Sequence, residues 1–294
     1  MTFFFQLLLL GLLVGSTYAV VAVGFVLIYK STRILNFSQG SLVLVGAYFF
    51  WQCSVAWQLP TWLGFILTLL FSALVGWVIE RVVFRHMIGQ PILSLIMVTL
   101  GISVLLEAIT HGVWGPVNKV PPQVFPQEPL SFAGLTIGQE YVWIFGLSMV
   151  LMAVFILFFQ RTKIGLGMRA TSESHELAQS TGIDVRKVFS QSWIISAMIA
   201  AVAGIFMASI QGVSHDISGI AFKALPAILL GGLESIPGAI VGGLFIGVFE
   251  YLSAGYLDPY LGGGFREAAP YIAMIPILLV RPYGFFGLKE IERV

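Results

Sequence analysis

Apolar residues in this chain run in long unbroken blocks, neither alternating as in a half-buried strand nor striped as in a surface helix. The blocks fall at about 7–29, 41–58, 61–80, 92–110, 141–160, 190–211, 222–252 and 267–281. Crossing a hydrocarbon layer of ~30 Å takes about 20 helical residues, and most of the blocks are close to that length. A transmembrane β-barrel would instead alternate polar and apolar positions in short strands. The pattern predicts an all-α polytopic membrane protein with about eight hydrophobic helical segments. No long polar linker interrupts the blocks, so residues 1–294 read as one transmembrane domain.

Composition supports that environment: 58% of the chain is hydrophobic and 10% is charged, whereas soluble domains carry about 25% charged residues. The opening stretch MTFFFQLLLLGLLVGSTYAV has no basic residue ahead of its apolar run, so a retained first span is expected rather than a cleaved leader. Cys53 is the single cysteine and excludes an internal disulfide. No Cys/His cluster has zinc spacing, and no metal site is expected.

Charge then orients the segments. Basic residues gather in KSTR (30–33), ERVVFRH (80–86), the loop 161–187 and the tail from Arg281, whereas the Pro-rich loop at about 111–140 carries only Lys119. Cytoplasmic loops are enriched in Lys and Arg. Placing 161–187 inside puts the N-terminus outside. The tail, with Arg281, Lys289 and Arg293, ends inside only if 222–252 is a hairpin that enters and leaves on the external side. A single crossing there would strand those three basic residues outside, so the hairpin is preferred. Lys119, Lys223 and Arg266 are the external basic residues in that arrangement.

The hairpin accounts for a chemical oddity. GGLESIPGAIVGGLFIG (231–247) places Gly231, Gly232, Glu234, Ser235 and Pro237 inside an apparent span. Broken backbone at membrane depth is tolerated where it is buried in protein or lines a wet cavity, and discontinuous helices present backbone groups in many transporters. The polar groups at this turn are therefore candidates to gate or line a pathway. Gly238-x3-Gly242 and Gly243-x3-Gly247 read equally well as close-packing seams. A second break, Asn36, Ser38, Gln39 and Gly40, follows the first segment. It is either part of the same pathway or an ordinary turn with Ser38 starting the next helix. The stretch 200–232 also runs helix, Ser-x-Gly break, small-residue helix, in the opposite orientation, as an inverted repeat would.

Enzymatic signatures are missing. GLGMRA (165–170) lacks a strand–turn–helix context, and the chain has no nucleotide-binding G-x-x-x-x-G-K-[ST] loop. Neither H-E-x-x-H nor G-x-S-x-G occurs. The chain is expected not to be an enzyme.

In SESHELAQSTGIDVRKV, Glu176, Leu177 and Ala178 are followed by Gly182. This spacing resembles the E-A-A-x-x-x-G pattern of bacterial ABC import permeases. With GSTYAVVAVGFVLIYKSTRILNFSQGSLVLVGAY near the start, FKALPAILLGGLESIPGAIVGGLFIG, and ILLVRPYGFFG, the chain resembles the permease family of branched-chain amino-acid ABC importers, and within it the shorter of the two paired permeases. The family commonly has Ala-His where this chain has Ser38-Gln39, and it also includes urea, amide and polar amino-acid systems. The resemblance implies a bacterial inner-membrane importer subunit without a cofactor of its own. Its partners would be a second homologous permease, two ATPases that bind ATP-Mg, and a periplasmic solute-binding protein; no nucleic acid is involved. Glu176, Ala178 and Gly182, in a coupling loop at about 161–190, would receive motion from an ATPase. The competing reading is a secondary transporter or channel that uses Glu80, Glu107, Glu234 and Glu250 for ion coupling.

Overall fold

The computed structural model describes residues 2–87, 89–120, 124–126, 128–132 and 135–287. Lys289 and Arg293 of the expected cytoplasmic tail lie outside the described residues. Among the described residues the regular structure is helical apart from one two-stranded antiparallel pair, β1 (Pro129–Phe132) and β2 (Leu135–Gly138), in the Pro-rich connection.

Among the described residues, six helices are long and apolar enough to cross a membrane. They are α1 (Thr2–Thr32), α3 (Thr61–Val82), α4 (Ile92–Trp114), α5 (Gln139–Arg161), α8 (Val185–Gln211) and α10 (Ile236–Leu261). Of the eight expected segments, 41–58 and 267–281 are too short to count among these six, and 222–252 is broken in two where a hairpin was expected. Segment 41–58 is the short α2 (Gln39–Trp51) with a π-helical extension (Gln52–Ala56); 222–252 divides into α9 (Ile220–Gly231) and α10; and 267–281 is the short α11 (Phe265–Val280). At 1.5 Å per residue α9 reaches only about 18 Å, less than the hydrocarbon thickness. The physical reason is Gly232, which ends α9 at φ 101°. Ser235 then caps α10, its Oγ accepting from Gly238 N at 3.0 Å, with Pro237 in the first turn, where a missing N–H costs nothing.

Helix α1 is the axis of the bundle, buried from Leu13 through Ile28. It packs antiparallel on α10: an added side chain at Gly15 would meet Gly243 O at 2.9 Å and Leu244 Cα at 3.1 Å, while Gly243 lies against Ala19 and Gly247 against Gly15 and Gly11. The opposite edge of α10, through Gly238 and Gly242, lies against Gly231 and Ala227 of α9. Both glycine pairs are thus packing seams, and they bring backbone against backbone. The register of Gly231 with Gly238 and Ala227 with Gly242 makes α9 and α10 an antiparallel pair.

Two halves of the chain use the same contacts in opposite directions. Helix α10 packs on α1 as α3 packs on α8, and α11 packs on α9 as α4 packs on α2. Gly40 at the start of α2 abuts Ser218 and Ala221 at the start of α9. From that meeting point α2 runs toward Trp114 and His215, and α9 runs toward Arg33. The two ends of the bundle also differ in charge. Lys30, Arg33, Arg85, Arg169 and Lys187 lie with the turn 232–235 and the start of α8, whereas Lys119, Lys223 and Arg266 lie toward the other end.

Candidate functional site

The two sets of polar residues expected at broken helices occupy different depths. Asn36, Ser38, Gln39 and Gly40 are buried in the connection between α1 and α2, which folds back into the bundle. Asn36 Oδ1 accepts from the Ser38 backbone N–H (3.1 Å) and hydroxyl (2.6 Å), closing a local turn. Asn36 Nδ2 donates to Gln39 Oε1 at 3.3 Å. Ser196 of α8 stands 3.0 Å from the same oxygen and 2.9 Å from Gly24 O, so its hydroxyl is shared between them. Gln39 Nε2 is buried and has no acceptor among the described residues. Such an unmatched buried donor costs about 1–3 kcal/mol.

Beside this turn lies a second polar contact. Ser41 Oγ is 2.7 Å from Ser103 Oγ and 3.2 Å from Glu107 Oε1, both on α4. Thr99 of α4 reaches back toward Leu35 O. The deep polar group therefore draws on α1, α2, α4 and α8.

Gly231, Gly232, Glu234 and Ser235 sit at the end of the bundle and not at its middle. Glu234 pairs with Arg33, and its backbone carbonyl accepts from Lys30 Nζ at 3.1 Å. Arg33, at φ 58°, also donates to Ser172 O at 3.0 Å, near the end of α6 (Lys163–Glu173). Gln39 is level with Gly24, and Glu234 with Lys30 and Arg33. Six helical residues separate Gly24 from Lys30, about 9 Å along the axis. The structure does not bring the two sets together. It joins Glu234 instead to the cationic end of α1 and to α6.

The loop 161–187 is folded. Helix α6 returns along α5, with Arg169 donating to Phe159 O. Ser174 caps α7 (His175–Ser180) by accepting from Leu177 N at 3.3 Å, and Asp184 caps α8 by accepting from Lys187 N at 3.3 Å. That bond holds the Asp184 carboxyl below its usual range. Gly182 ends α7 at φ 85° and has open space around its α-carbon. Glu176 is exposed, but Ala178 is 3% exposed and packs with Val185 and Phe189. Leu177 is 69% exposed and is the apolar residue that α7 presents outward.

No motif in the sequence marks Ser196, and Lys223 and Arg266 stood only as external basic residues. Both cations bind the fully buried Glu250: Lys223 Nζ at 3.0 Å and Arg266 Nε at 2.8 Å. Glu80, also fully buried, takes Arg85 at 3.3 Å. Of the four glutamates weighed for ion coupling, Glu80, Glu234 and Glu250 are thus neutralised by a neighbouring cation, and no group of His, Cys, Asp and Glu among the described residues is arranged to hold a metal.

A family described as "Branched-chain amino acid transport system / permease component" matches residues 7–280. The chain is 30% identical to the high-affinity branched-chain amino acid transport system permease protein LivH of Escherichia coli K12, across 99% of this chain and 98% of that one. It is 32% identical to the probable branched-chain amino acid transport permease protein LivH of Methanocaldococcus jannaschii, across 98% and 95%. Among solved structures, PsaBC from Streptococcus pneumoniae in complex with Fab aligns with a TM-score of 0.49 at 15% identity, over 98% of this chain and 92% of that chain.

Proposed function

Because this chain belongs to the family of permease components of branched-chain amino-acid transport systems, and is a membrane-embedded subunit of an ABC-type importer rather than an enzyme, we propose that it forms a translocation pathway for branched-chain and other hydrophobic amino acids together with a second, homologous permease. The observation that carries the substrate class is likeness to branched-chain permeases along nearly the whole chain.

In this reading α9 is a re-entrant half-helix and α10 its returning partner, with the turn 232–235 on the cytoplasmic side. The N-terminus is then external and the C-terminus cytoplasmic. The charge partition between the two ends supports this orientation under the positive-inside rule. Asn36, Ser38, Gln39 and Gly40 line the pathway at depth, supported by the unmatched Gln39 donor where α2 and α9 begin. Gly231, Gly232, Glu234 and Ser235 form its cytoplasmic gate, latched to Arg33. Two ATPases, which hold ATP-Mg, and an external solute-binding protein complete the importer. Glu176 and the exposed Leu177 meet an ATPase, while Ala178 anchors α7 and Gly182 ends it. The hydrogen bond from Arg33 to Ser172 O places α6 next to the Glu234 latch, so displacement of α6–α7 has a short route to the gate.

The test is uptake of labelled leucine in cells lacking their own branched-chain systems, with this chain expressed alongside its neighbouring transport genes. Uptake should be saturable and should stop when ATP is depleted, and two ATPases and a second permease should co-purify in mild detergent. Uptake that follows the proton gradient and persists without ATP would favour a secondary transporter.

A further inference from the structure

A cavity of about 420 Å³ opens on the bundle end opposite the Arg33–Glu234 latch. Its inner wall is apolar and buried, formed by Val14 and Tyr18 of α1, Met207 of α8 and Ile220 of α9. Its charged residues come from three separate stretches: Asp216 before α9, Lys223 within α9, and Arg266 and Glu267 at the start of α11. Glu250 holds Lys223 and the Nε of Arg266 from behind, and Glu267 also binds Lys223 at 3.0 Å. Two capacities are left over. The terminal nitrogens of Arg266 have no acceptor among the described residues, while the guanidinium is fixed by Glu250 and stacks over Tyr251 at 4.7 Å. Asp216 is exposed and makes no ion pair with a described residue.

A guanidinium held by its Nε presents two parallel donors that match a carboxylate. An unpaired carboxylate on the same rim matches an ammonium. With an apolar wall between them, and a volume in the range that takes small ligands, the geometry points to a binding site for a free zwitterionic amino acid with an apolar side chain. Arg266 would receive the α-carboxylate, Asp216 the ammonium, and Met207, Ile220 and Val14 the side chain. The inference deepens the proposed function and rests on it for the side-chain class. A zwitterionic phospholipid headgroup shares the charge chemistry but not the apolar α-substituent, so the free amino acid is the ligand proposed.

The experiment measures equilibrium binding of labelled leucine to the full chain, co-purified with its transport partners but without the solute-binding protein, in nanodiscs. Leucine should bind saturably. Leucinamide, which lacks the carboxylate, and 4-methylpentanoate, which lacks the ammonium, should each compete at least tenfold more weakly. Asp216→Asn and Arg266→Gln should each weaken leucine binding at least tenfold, and Arg266→Lys should recover part of it. Arg266→Gln also frees a buried carboxylate and can unfold the chain; Asp216→Asn, at an exposed residue, cannot fail in that way and decides alone if needed. Equal leucine affinity in wild type and Asp216→Asn overturns the site. So does leucine binding that vanishes in discs of phosphatidylethanolamine and returns in phosphatidylglycerol, which would make it a headgroup site. Uptake that remains ATP-driven while the binding results fail removes this site and leaves the proposed function standing. Loss of ATP-driven uptake in the wild type removes the function instead.

Discussion

Substituting Gly243 by alanine tests the packing that organises the bundle. A methyl group added at Gly243 would sit 2.5 Å from both Cα and N of Ala19 and 2.8 Å from its Cβ. Favourable carbon contacts lie at about 3.5–4.0 Å, so α1 and α10 must separate by roughly 1 Å along their shared seam. The clash is with backbone, which no rotamer change relieves. Overpacking of this kind costs about 1–3 kcal/mol, a factor of about 5–150 in the folded-to-unfolded ratio at RT of ~0.59 kcal/mol. Gly101 in α4 and Gly146 in α5 provide the opposite case, because nothing lies within 4 Å of an added methyl at either. Alanine there gains helix propensity, worth about 0.5–1 kcal/mol. The two kinds of substitution should therefore differ in sign. Unfolding of the purified chain in mixed SDS micelles, followed by circular dichroism and by the fraction recovered as a monodisperse peak, measures this. If Gly243→Ala unfolds at the same or a higher SDS fraction than the wild type, the α1–α10 seam is not the tight contact described here. If Gly101→Ala loses as much as Gly243→Ala, the cost belongs to glycine loss in general and not to the α1–α10 seam.

Three further outcomes follow from the charged and exposed positions. Glu80→Gln removes a fully buried carboxylate from Arg85, whose side chain is 23% exposed; the loss should be about 1–3 kcal/mol, below the ~3–5 of a fully buried pair because Arg85 keeps some water, and the same micelle titration reads it. Glu234→Gln and Asn36→Leu should each lower leucine uptake several-fold while the chain still inserts and assembles; normal uptake in both variants removes the latch and the deep turn from the pathway. Leu177→Ala removes an apolar contact that is 69% exposed in this chain, so it should leave the melting temperature unchanged yet reduce ATPase recovery on co-purification, whereas Ala178→Trp should lower stability first because it overfills the pocket with Val185 and Phe189.

Membrane environment, helical class and the separation of basic residues to one end were all readable from the chain, because hydropathy and charge are properties of each segment by itself. The break at 231–237 was readable for the same reason: Gly232, Ser235 and Pro237 are local stop and start signals. Tertiary structure alone decided what those signals mean. The hairpin at 222–252 was readable from charge, but its delivery of Glu234 to Arg33 at the bundle end was not. Ala178 and Leu177 are neighbours, yet the rotation of α7 against α8 buries one and exposes the other. Ser196 reaches Gln39 because Gly46 and Gly204 bring α2 and α8 to backbone contact, and Lys223 reaches Glu250 because Gly231, Gly238 and Gly242 do the same for α9 and α10. Helix formation is a sum over near neighbours, but which residues face one another across helices depends on crossing geometry that no single segment contains.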